Sequence, residues 1–167
     1  MSLPVQPAPW SGPSPLTGRT APAGASLSAR AKAVGLRLAG GRTACGEARE
    51  FTERVLADWE LDQLCDDALT VVSELVANAV VHGPAGGTGE AAGSEVLLRL
   101  KRRPAHLMCA VTDRGETLPS PGHTGVSLDE GGRGLIIVEA LSQHWGWTRC
   151  NPVGKTVWAL LPTEARI

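Results

Sequence analysis

Glu74 and Asn78 stand four residues apart in the otherwise apolar run "VVSELVANAVVHG" (71–83). The valines suit a strand. A carboxylate and an amide at that spacing, however, share one face of a helix, one turn apart. Two oxygen-bearing side chains beside an apolar stripe form either an ordinary exposed polar face or a site for Mg²⁺ and water. Mg²⁺ takes few protein oxygens and completes its shell with waters and substrate phosphates. A glutamate beside it can orient or deprotonate a nucleophile. His82 follows one turn later and reads as a cap on the last helical carbonyls.

Three more groups carry chemistry. In "VTDRG" (111–115), Asp113 ends an apolar strand and Gly115 permits a sharp turn. A carboxylate there either closes a simple turn or accepts a hydrogen bond from an exocyclic amine such as that of adenine. In "DEGGRGLIIVEAL" (129–141), Gly131, Gly132 and Gly134 precede an apolar helix. Backbone N–H groups left open by glycine, together with the helix N-terminus, favour an anion. Arg133 adds a fork donor suited to phosphate. The alternative is a plain glycine-rich helix start, and the spacing matches neither the Rossmann nor the Walker A pattern. In "GKTVW" (154–158), Thr156 is placed to support the Asp113 carboxylate from a neighbouring strand. Lys155 resembles a phosphate ligand but reads as a solvated strand residue.

These groups need elements to hold them. "AVGLRLAG" (33–40) alternates loosely and ends in two glycines, a strand and turn. "CGEAREFTERVLADWEL" (45–61) has Ala48, Phe51, Val55, Leu56 and Trp59 at helical spacing. The next segment (61–83) carries an apolar stripe of Leu64, Ala68, Val71, Leu75 and Ala79. A polar stripe of Asp67, Thr70, Glu74 and Asn78 runs beside it, with Asp62 as N-cap and Gly83 as stop. The persistence of the stripe decides for helix over strand. "PAGGTGEAAGS" (84–94) is a loop by composition. "EVLLRLKR" (95–102) and "AHLMCAVTD" (105–113) form a hairpin through Arg103 and Pro104. Residues 114–134 make a long loop of the kind that serves as a lid or binding loop. A helix over 135–145 and a closing pair of strands, "WGWTRC" and "KTVWALLP", complete the series. The sum predicts a two-layer α/β sandwich, with helices on one face of a mostly antiparallel sheet.

The chain has 167 residues, enough for one domain with a real core. Residues 1–30 are Pro, Ala, Ser, Gly and Thr-rich and are expected to be a disordered tail. Residues 31–167 are expected to form the domain. A net charge of −1 gives no global basic field, so direct nucleic-acid binding is not expected. The local run "RLKRRP" (99–104) reads as a solvated strand end. The four cysteines, Cys45, Cys65, Cys109 and Cys150, are scattered and read as small buried apolar groups in a reducing compartment. The sequence has no membrane-length apolar run and no signal pattern, so the expectation is a cytoplasmic protein with no membrane partner.

In order, "SELVANAVVHG", "VTDRG", "GGRGLIIVEALSQHWGW" and "GKTVW" resemble the GHKL ATPase superfamily, which includes gyrase-type ATPases and histidine kinases. The blocks look most like the small anti-sigma-factor-type proteins of actinobacteria. The resemblance spans residues 33–162. It implies a mixed, mostly antiparallel sheet under helices, the Bergerat-like fold, with ATP held between helix and lid. It also implies that Asn78 binds Mg²⁺, that Glu74 acts on the attacking group, and that Asp113 bonds the adenine amino group with Gly115 close to the base. Gly132, Arg133 and Gly134 would wrap the phosphates, and Thr156 would support Asp113. Two departures stand out: the family's Asp-x-Gly-x-Gly is here Asp113-Arg114-Gly115-Glu116-Thr117, without the second glycine, and the later box is also short of glycines.

The resemblance implies an anti-sigma factor with serine/threonine kinase activity toward an anti-anti-sigma antagonist. Its partners would be that antagonist, a sigma factor and a second copy in a homodimer. The competing reading is a nucleotide-gated protein-binding module without phosphoryl transfer, which the missing glycine favours. A histidine kinase is disfavoured because no phosphoacceptor helix pair is expected ahead of the domain. A metal hydrolase is disfavoured because His82, His106, His123 and His144 lack partners at ligand spacing.

Overall fold

The computed structural model of the chain describes residues 32–81, 95–115, 133–151 and 153–164, and only the backbone of Val81 and Arg133. The expected tail, the loop at 84–94, His82, Gly83, His123, Gly131 and Gly132 lie outside the described residues.

Strand β1 (Ala33–Leu38) leads into helix α1 (Ala44–Asp58), and a short 3-10 turn (Asp62–Leu64) precedes helix α2 (Cys65–Val81). Strands β2 (Val96–Arg102) and β3 (His106–Asp113) follow, then helix α3 (Arg133–Leu141) and strands β4 (His144–Arg149) and β5 (Lys155–Pro162). The five strands form one sheet in the order β1-β2-β3-β5-β4. All the described pairings are antiparallel. The result is the expected α/β sandwich, with β5 inserted between β3 and β4.

The layers follow from the side-chain pattern. Every residue of the expected α2 stripe is buried: Leu64, Ala68, Val71, Leu75 and Ala79. Beneath it, alternate strand residues point the same way: Leu98 and Leu100 on β2, Leu107, Cys109 and Val111 on β3, Val157, Ala159 and Leu161 on β5. Helix α1 adds Ala48, Val55 and Leu56. Fully burying one such aliphatic side chain contributes about 1.5–3 kcal/mol, so this shared interior holds helices to sheet.

Helix α1 stops without glycine. Glu60 takes φ 56, and the N–H groups of Glu60 and Leu61 bond the carbonyls of Ala57 and Leu56. That is the Schellman arrangement, with buried Leu61 supplying its apolar contact.

Three local expectations change. Asp62 opens the 3-10 turn rather than capping α2, which begins at Cys65. Helix α3 runs Arg133–Leu141 and does not reach Trp145. Ser142 turns its N–H and its hydroxyl onto the Val138 carbonyl, and the Gln143 N–H leaves for Leu160 O, which starts the β4 ladder. Of the cysteines only Cys109 is buried; Cys45, Cys65 and Cys150 are intermediate, and all four are free thiols. No helix among the described residues is long and apolar enough to cross a membrane.

Candidate functional site

Glu74 and Asn78 lie on the polar stripe of α2, next to buried Leu75 and Ala79, and both are half-buried. What covers them is the start of α3. A methyl group on Gly134 would lie 2.5 Å from Glu74 Oε2, 3.5 Å from Glu74 Cδ and 3.6 Å from Asn78 Oδ1. Glycine here leaves the Glu74 carboxylate free to lie against the first turn of α3; a methyl group would push that carboxylate aside. The helix packing therefore brings three of the sequence-predicted residues together: the carboxylate, the amide and the glycine. Arg133 opens α3 beside them. Cys45, on α1, borders the same carboxylate. Burial and the negative charge of Glu74 push its thiol above the ordinary value, against Arg49, which lowers it.

Asp113 ends β3 on the side that faces the helices, in step with Leu107, Cys109 and Val111. It is 4% exposed. Its Oδ1 accepts the Gly115 N–H at 2.6 Å and the Lys155 ammonium at 2.9 Å. Its Oδ2 is buried and is without a partner among the described residues. A buried carboxylate oxygen left open is costly unless a donor arrives. The turn is closed from behind by the β4–β5 hairpin, where Gly154 at φ +105 packs against the Asp113 carbonyl and Arg114 Cα.

Thr156 does not support Asp113. The register pairs Thr156 with Thr112 and Lys155 with Asp113. Opposed residues of an antiparallel pair share a face and successive residues alternate, so the Thr156 hydroxyl lies on the far side of the sheet. There it bonds the Thr112 hydroxyl at 2.7 Å and contacts Cys150 Sγ at 3.4 Å. Lys155, expected to be solvated, is 4% exposed and takes the supporting position. The missed signal was alternation within "KTVWALLP": Lys155 shares a side with Val157, Ala159 and Leu161, all of them core residues.

The donor set fits Mg-ATP. Asp113 Oδ2 is an open buried acceptor for an amine. The Glu74 carboxylate and the Asn78 amide are hard oxygen donors beside a helix N-terminus. Among the described residues no three His, Cys, Asp or Glu side chains converge as a metal cage. Two oxygens alone leave a Mg²⁺ shell to be completed by waters and substrate phosphates. Gly132 lies outside the described residues.

The family comparison agrees with this geometry. The chain belongs to the histidine kinase-like ATPase domain family, whose model matches residues 42–161. It is thus an ATP-binding domain of the GHKL superfamily. Among curated proteins, none matches the chain.

Proposed function

We propose that this protein is an anti-sigma factor that phosphorylates a serine or threonine of an anti-anti-sigma antagonist and also binds a sigma factor. The observation that carries the reading is the convergence of Glu74 and Asn78 on the glycine-bearing first turn of α3. The order of the four motifs, closest to the small anti-sigma-type proteins, supports the class of partner. Bound Mg-ATP supplies the phosphoryl group, with the cation neutralising its charge.

The chain's own residues do the rest. Asn78 offers its amide oxygen to the cation. Glu74 accepts the proton of the acceptor hydroxyl. The α3 N-terminus favours the phosphates, to which the resemblance also assigns Arg133. Asp113 receives the base amine through Oδ2, close to Gly115.

A second reading is a nucleotide-gated binding module. It is favoured by Thr117 standing where the resemblance expects a second glycine. A thermal-shift titration tests what the two readings share. ATP at about a hundred times its Kd stabilises by roughly 2.7 kcal/mol, and the shift should require Mg²⁺ and be lost in Asn78→Ala. Labelled ATP offered with candidate antagonists then separates them. Glu74→Ala should still bind ATP but transfer no label. Transfer retained in that variant would sink the role of Glu74. No transfer by the wild type to any antagonist that binds it would favour the module.

A further inference from the structure

Lys155, which the sequence reads as a solvated strand residue, forms the only buried ion pair among the described residues. It stands where the Asp113 carboxylate needs support, on the helix-facing side of the sheet. Burying a lysine and an aspartate in one place is costly unless each is well paired. This pair is nevertheless asymmetric. Both donors, the Gly115 N–H and the Lys155 ammonium, converge on Oδ1. A carboxylate offers two oxygens, and here Oδ2 is left buried and open. Support confined to one oxygen does two things. It fixes the rotation of the carboxylate, and it reserves the other oxygen as an acceptor with no donor of the described chain to compete for it.

We infer that Lys155 is a positioning residue for nucleobase selection: by holding Asp113 Oδ1 it aims Oδ2 at a base amine, so the site selects purine nucleotides that carry an exocyclic amino group. The inference rests on the ATP-binding reading and adds to it the residue that makes the base readable. A lysine suits the task better than an arginine would. Its ammonium is a single compact charge, whereas a guanidinium fork tends to engage both carboxylate oxygens.

The test compares two ligands in the full chain with Mg²⁺: ATP, and purine riboside 5′-triphosphate, which lacks only the exocyclic amine. Wild-type protein should bind ATP at least tenfold more tightly. Lys155→Met should bring that ratio close to one while changing the affinity for the amine-free ligand less than threefold. A Lys155→Met protein that weakens both ligands equally and keeps the ratio would overturn the inference, because a purely structural lysine, or one that touches phosphate, predicts that result. Lys155→Met leaves a buried carboxylate unpaired and so threatens folding. Asp113→Asn and the Asp113→Asn/Lys155→Met double variant, which carries no orphan charge, provide the second arm. If Lys155 acts through Asp113, these two bind both ligands alike. A further loss in the double variant means that Lys155 touches the nucleotide itself and overturns the inference. A wild-type ratio near one, with both ligands bound, refutes base selection and leaves ATP binding standing. Binding of neither ligand refutes both.

Discussion

Gly134 decides how near α3 comes to the Glu74 carboxylate. A methyl group there would sit 2.5 Å from Glu74 Oε2, far inside contact distance. The atom it meets is the end of a flexible side chain, so the carboxylate can swing aside without moving either helix. The same methyl group restricts the unfolded chain, which favours folding by about 0.5–1 kcal/mol. Gly134→Ala should therefore melt at or above the wild-type temperature. Phosphoryl transfer should nevertheless fall about ten- to a hundredfold, because displacement of a reacting group by about 1 Å costs on that order. Melting curves and labelled-ATP turnover on one preparation would show it; a parallel loss of both would mean that Gly134 matters only for packing. At this scale placement was legible where spacing alone decides it: Glu74 and Asn78 on one face of a helix and Asp113 at the end of a strand. Lys155 and Thr156 were read the wrong way round, because a support role depends on which face of β5 a side chain occupies. The apolar alternation of Val157, Ala159 and Leu161 already contained that answer.

The elements position these residues through backbone contacts as well as side chains. The β4–β5 hairpin closes on the Asp113 turn at Gly154, whose φ of +105 is one that L side chains rarely adopt. A side chain there would meet the Asp113 carbonyl and Arg114 Cα, which are backbone and cannot rotate away. Gly154→Ala should destabilise the fold by at least about 2 kcal/mol, since one strained residue alone costs about 1–3 kcal/mol. It should weaken ATP binding in proportion to its shift of the turn. Gly46→Ala in α1 is the control: nothing lies within 4 Å of its added methyl, so it should stabilise by up to about 1 kcal/mol. Urea titrations of the two variants decide, and equal midpoints would contradict the packing described. Helix α2 was legible because its stripe is local and long. The end of α3 was not, since the Gln143 N–H is drawn off by Leu160 O, a partner that no local pattern identifies.

For the molecule as a whole, the two-layer sandwich could be read from the order of its elements, but not the insertion of β5 between β3 and β4. That order is fixed by long-range pairing, which periodicity does not encode. The same interior sets a pH limit on stability. Cys109 lies in the middle of the sheet under α2, fully buried, and burial pushes its thiol from 9.0 up to about 12. Below pH 9.0 the thiol is protonated in both folded and unfolded chains. Between 9.0 and about 12 the unfolded chain releases that proton while the folded one keeps it. The folded state then binds more protons, so stability falls as pH rises, by at most about 1.4 kcal/mol per unit. Cys109→Ala removes this dependence at the cost of a small cavity, about 1 kcal/mol and independent of pH. Wild-type protein should thus be the more stable of the two at pH 8. Near pH 10 the unfolded thiol's ionisation is worth about 1.4 kcal/mol, so the difference should vanish or reverse. Denaturant unfolding of both proteins at pH 8, 9 and 10 measures it. A gap that stays constant across that range would mean the Cys109 thiolate forms as readily inside the fold as outside it, and the sheet interior beneath α2 would have to be wetter than its packing indicates.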